Sequence, residues 1–185
     1  MLPSNNFLSI RRKHHDMWEN NYFNKDVEGT LYYSTVGFIY VRCDHFDDVT
    51  KHCGDGIANK RLEVYKYVIE NVIDDSRFCE IRLGIAFDRG HRDAFIILVI
   101  GCTENEIIDL ANHIKNELIR SEKWKELDGS RDNENDYPRT FTQGVAFDDF
   151  EKTSLHAIER SAKDQADFAG KNRQTNCIYY KSNRV

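Results

Sequence analysis

The sequence predicts an α+β fold of palm-like, ferredoxin-related plan, with a central mixed, mainly antiparallel sheet covered by helices. Two observations carry this prediction. Apolar strand-like runs interleave with amphipathic helical stretches in the order βαββαβαβ, behind an N-terminal segment of looser helical pattern. Two of those runs, "IRLGIAF" and "IILVIG", also flank the polar stretch "DRGHRDAF" (88–95), where the chain must turn back on itself.

The 185 residues suit one domain, and 40% hydrophobic with 31% charged residues is the composition of a chain that buries a core. No apolar run nears the ~20 residues that span a bilayer, and the N-terminus lacks a sustained apolar signal core, so no membrane insertion and a cytoplasmic location are expected. Five cysteines (Cys43, Cys53, Cys79, Cys102, Cys177) are odd in number, widely spaced and without CxxC, which reads as buried thiols rather than a disulfide or zinc framework. A net charge of −5 argues against general nucleic-acid binding, although a local basic patch can still hold phosphates.

Along the chain, residues 1–34 read as a helical arm and connection, with Phe7, Leu8, Ile10, Trp18 and Phe23 set among charges. "TVGFIYVRCD" (35–44) is β-branched and aromatic up to Arg42, the pattern of a central strand buried on both faces, and it opens the domain that runs over 35–185. In 57–73, Ile57, Leu62, Tyr65, Val68, Ile69 and Val72 form a helical stripe. "FCEIRLGIAF" and "AFIILVIGC" then make an antiparallel hairpin. Thr103 stands three residues before Glu106, a capping-box spacing, and Ile107, Leu110, Ile114 and Leu118 continue that helix. Residues 121–139 are polar and turn-rich and read as a poorly ordered insertion, from which Trp124 stands out as an aromatic that either docks on a partner or folds back onto its own domain. "TFTQGVAF" (140–147) is a strand, 154–170 a helix ending at a C-cap glycine, Gly170, and "NCIYYK" the last strand. The helices are expected to cover only one face of the sheet.

With this order in place, "RGHRDAF" resembles the RYGGDEF hairpin of GGDEF domains, the diguanylate cyclase family. "LSIRR" (8–12) looks like the family's opening LxNRR, and "RCDHFDDVTKHCGDGIANKRL" (42–62) like its DxDHFKxxNDxxGHxxGDxxL segment without a gap. "TFTQGVAF" is similar to TxSxGVA, and "AGKNR" (169–173) to the closing GRN. The landmarks fall in the family's order and at nearly its spacing from residue 7 onward, and it is this ordered set that carries the resemblance.

The resemblance implies joining of two GTP molecules, a ribose 3′-hydroxyl attacking an α-phosphate, with divalent ions held by carboxylates. This sequence departs from that pattern where the chemistry would occur. The family's first metal ligand falls on Arg42, a cation with no lone pair to give. Its acidic pair falls on Asp93 and Ala94, leaving Asp93 as the residual catalytic and metal-type carboxylate, and its two glycines fall on His91 and Arg92. The guanine-reading Asn and Asp correspond to Thr50 and Asn59. Two phosphate-binding lysines correspond to Asp47 and Asp167, and the Arg of GRN to Lys171. Of the product-site RxxD, Arg82 matches but its fourth position is Ile85. His14, His15, His45, His52, His113 and His156 show no metal-ligand spacing on one predicted helix.

Three functions follow from these readings. The first is a catalytically degenerate GGDEF-like signalling domain, not an enzyme, that binds a nucleotide or cyclic dinucleotide through Arg42, Thr50, Asn59, Arg89, His91, Arg92 and Lys171, with Arg82 as product-site residue and no cofactor. Against it stands a solvated hairpin in which Asp93 merely pairs with a neighbouring Arg. The second is an active nucleotidyl cyclase or cyclic oligonucleotide synthase, using Mg²⁺ or Mn²⁺ on Asp44 and Asp93. The third is a protein-interaction module, forming a homodimer or binding a partner signalling protein.

Overall fold

The computed structural model describes residues 35–74, 82–87, 93–100, 102–127, 138–149, 153–172, 174–181 and 183–185. The expected N-terminal arm, 1–34, lies outside them, as does most of the hairpin tip, 88–92.

Six strands form one sheet in the order β2-β3-β1-β4-β5-β6, with β1 (Thr35–Cys43), β2 (Arg82–Phe87), β3 (Ala94–Ile100), β4 (Phe141–Asp149), β5 (Cys177–Tyr180) and β6 (Asn183–Arg184). Only the β4–β5 pair is parallel, so the sheet is mixed and mainly antiparallel. β1 is central: Arg42 stands opposite Ala94 on β3 and opposite Thr142 on β4.

The strand period of two divides β1 between two cores. Ile39, Val41 and Cys43 enter one face with Leu62, Tyr65, Ile107 and Leu110, from helices α2 (Asp55–Ile73) and α3 (Glu104–Arg120). Val36, Phe38 and Tyr40 enter the other with Ile158, Ala162 and Ala166 of α4 (Leu155–Lys171). Helices therefore cover both faces rather than one. The difference arises at β4, whose Gly144 lets the backbone of α4 lie directly on the sheet: a Cβ there would stand 1.9 Å from the Ala162 carbonyl oxygen.

Other elements depart from the sequence reading in ways that have physical causes. A short helix, α1 (Phe46–Cys53), precedes α2; its single fully buried residue, Val49, leaves no stripe to read. In the expected polar insertion, Glu122–Leu127 form a 3₁₀ helix with Trp124 and Leu127 buried, two apolar residues whose spacing of three puts them on one side of such a turn. Trp124 docks on its own domain. Its Nε1–H donates to the Leu118 carbonyl at 2.8 Å, its ring meets Tyr65 edge-on at 5.2 Å, and the Arg139 guanidinium lies over it at 5.4 Å.

The helix ends follow local rules. Thr103 and Glu106 form the expected reciprocal capping box, and those bonds from Thr103 hold the Glu106 carboxyl below its ordinary range. Ser154 caps α4 through the Ala157 N–H. Gly170 is not the C-cap, because α4 continues to Lys171 and Asn172 takes that position. Of the five cysteines expected to be buried, Cys43, Cys102 and Cys177 are, Cys53 is only half-buried, and Cys79 lies outside the described residues. Among the described residues no helix is long and apolar enough to cross a membrane.

Candidate functional site

The C-terminal end of β1, the base of the β2–β3 hairpin and the end of α4 converge at Arg42. The strand places the Arg42 side chain on the α4 face, two residues beyond Tyr40, while Cys43 turns into the opposite core. The ladder continues one step past β1, since the Cys43 N–H donates to the Asp93 carbonyl at 2.8 Å and the Asp44 N–H to the Thr140 carbonyl at 2.9 Å.

The Arg42 guanidinium lies between two carboxylates. Its Nε stands 3.4 Å from Asp93 Oδ2, and its Nη1 donates to Asp167 Oδ1 at 3.2 Å. Gly170 lies beside this pair, where a Cβ would sit 3.5 Å from Nη1, in ordinary van der Waals contact. Partly exposed pairs of this kind contribute about 0–1 kcal/mol each, so they orient the guanidinium more than they stabilise the fold. A guanidinium has five N–H donors. The two carboxylates engage Nε and Nη1, and the side chain as a whole is 38% exposed.

Asp44 follows in the turn, on the same side. Its Oδ1 accepts the Thr142 hydroxyl at 3.3 Å, while its Oδ2 is buried without a hydrogen-bond partner. Burial pushes the carboxyl from 3.8 up to about 6, against the pull of neighbouring hydroxyls, His45 and Arg42. An unfolded Asp ionises near ~3.9, so the folded chain holds more protons between that pH and about 6. Asp44 therefore contributes stability below pH ~4 that is lost as pH rises to about 6. Asp44→Asn, which cannot ionise, is expected to gain about 2 kcal/mol over the parent at pH 7.5 and little at pH 4. Urea unfolding at the two pH values measures this; equal pH dependence in both proteins would contradict it.

The turn is also braced from beneath. Tyr65 donates its hydroxyl to the Thr140 carbonyl at 2.9 Å, the same oxygen that accepts from the Asp44 N–H, and Trp124 packs on the Tyr65 ring. The insertion is thus connected to the site through two side chains, a link the sequence did not signal because Trp124 and Tyr65 lie far apart along it.

The residues singled out from sequence are dispersed around this centre. Arg42 and Asp93 meet, and Asp44 joins them through the turn. Thr50 lies on α1 with its hydroxyl buried and unpartnered, and Asn59 is exposed near the start of α2. Lys171, the last residue of α4, and Asp47 are exposed. Arg82 begins the edge strand β2 opposite Ile100, at the end away from the hairpin turn. Arg89, His91 and Arg92 lie outside the described residues. Asp167 is the partner that sequence reasoning missed. The signal was available, because the positions matching a family acid and a family lysine both carry the opposite charge here, as an ion pair with exchanged ends would.

A divalent ion of the kind the fold implies needs several oxygen ligands at about 2.0–2.6 Å. The donor set fits it poorly. A guanidinium occupies the strand end, the Asp93 carboxylate is paired with it, and the described residues contain no group of three or more His, Cys, Asp or Glu able to hold a metal.

No protein-family model and no curated protein match this chain. Solved structures do. The active GGEEF domain of a diguanylate cyclase from Vibrio cholerae superposes with a TM-score of 0.64 at 17% identity, covering 91% of this chain and 97% of that one. The GGDEF domain of DgcB from Caulobacter crescentus, in complex with c-di-GMP, gives 0.66 at 16% identity, over 91% and 88%. Diguanylate cyclase SiaD from Pseudomonas aeruginosa, in complex with its activator SiaC, gives 0.61 at 13% identity, over 91% and 56%. At these identities the likeness establishes the fold.

Proposed function

We propose that this chain, which has the GGDEF fold, is a binding and regulatory domain that holds the phosphate of a nucleotide or cyclic dinucleotide with Arg42 and does not carry out the metal-dependent cyclisation of GTP. The observation that supports it is the partly exposed Arg42 side chain, whose guanidinium is set at the end of the central strand between Asp93 and Asp167. A fixed cation there opposes Mg²⁺ by direct repulsion and withdraws Asp93 from it, whereas a phosphate is the anion a guanidinium fits. The ligand classes come from the fold relatives, one of which is a complex with c-di-GMP and another a cyclase bound to a protein activator.

A second reading has one observation in its favour. The buried, unpartnered Oδ2 of Asp44 is a ligand atom without a partner, which an enzyme using Asp44 and Asp93 would fill with Mg²⁺ or Mn²⁺. Incubation with GTP, ATP, CTP or UTP and either ion, with products read by mass spectrometry, separates the two. The binding reading expects no cyclic or linked product. A product that disappears in Asp93→Ala would establish the enzyme instead.

A further inference from the structure

We infer that Asp167 is a built-in competitor for anionic ligands at Arg42, an autoinhibitory contact that a phosphate must displace or share. The inference rests on the proposed reading of Arg42 as the phosphate-binding residue and adds how that site is held in check. Carboxylate and phosphate oxygens compete for the same guanidinium N–H donors. Asp167 already takes Nη1, at 3.2 Å, from the side where α4 closes over the strand end.

The contact is placed to be exchangeable. Asp167 is 33% exposed and Arg42 38% exposed, so a displaced carboxylate returns to water with a small desolvation change. Asp167 also lies four residues before the end of α4, near the helix terminus that carries partial negative charge, an unfavourable place for a carboxylate without a cation beside it. The pair therefore links ligand binding to the end of α4: a phosphate that takes Nη1 releases Asp167, and the helix end loses its tie to β1.

The test is calorimetric titration of GTP, in EDTA, into the parent protein, Asp167→Asn, Asp164→Asn and Arg42→Ala/Asp167→Asn, each checked for folding by its thermal melt. Asp167→Asn is expected to bind about tenfold tighter than the parent, with the gain abolished in the double variant. Asp164→Asn, the same charge change three residues earlier on an exposed position, is expected to leave affinity close to the parent's. Binding by the parent with no gain in Asp167→Asn, or an equal gain in Asp164→Asn, would overturn the competitor role while leaving phosphate binding by Arg42 in place. No GTP binding by any of the four would remove the underlying reading as well.

Discussion

Gly144→Val is expected to lower the melting temperature by about 6 °C or more. Gly144 lies on β4 opposite Tyr40 of β1 and faces α4. A Cβ would come to 1.9 Å from the Ala162 carbonyl oxygen and 2.5 Å from the Ala166 nitrogen. Both are helix backbone, so no rotamer change relieves the overlap and the whole of α4 must move away. Overpacking a core costs about 1–3 kcal/mol where side chains can yield, and more where they cannot. At roughly 2–4 °C per kcal/mol for a domain of this size, ~3 kcal/mol or more gives the stated shift. Scanning calorimetry measures it, and a variant melting within about 2 °C of the parent would show that α4 is not seated as described. The same displacement would draw Asp167 away from Arg42, so the variant should also lose that contact.

Trp124→Ala is expected to cost about 3–5 kcal/mol, the range for removing a large buried aromatic. The residue is 9% exposed, packs on Tyr65 and donates to the Leu118 carbonyl. Trp124→Phe keeps an aromatic edge but loses the donor, and leaving that carbonyl unpaired accounts for about 1–3 kcal/mol. Denaturant unfolding of both variants distinguishes a structural segment from a dispensable polar loop. If Trp124→Ala unfolds at the parent's midpoint, Glu122–Leu127 are not part of the core.

Much of this architecture was legible in the sequence because single segments carry it. The uninterrupted apolar run of β1 marks a strand buried on both faces, and the Thr103/Glu106 spacing marks the start of α3. What escaped depended on contacts between distant segments. Trp124 lies among charged and turn residues, and only the fold brings it to Tyr65, so composition alone pointed toward disorder. Gly170 looked like a helix stop because glycine commonly ends helices, but α4 runs one residue past it and Asn172 takes the cap. The site was half legible: Arg42 and Asp93 were singled out by their positions in the resemblance, whereas the role of Asp167 emerges only where α4 crosses the strand end.

In the proposed function, Arg42 holds phosphate without a metal. Its most direct test is titration of GTP and cyclic di-GMP into the parent and Arg42→Ala in EDTA, with Arg42→Lys as a variant that keeps the charge but loses the fork-shaped donor set. Metal-independent binding of at least one ligand is expected, weakened at least tenfold in folded Arg42→Ala and only partly restored by Arg42→Lys. Binding that requires Mg²⁺, or that is unchanged when Arg42 is removed, would contradict it.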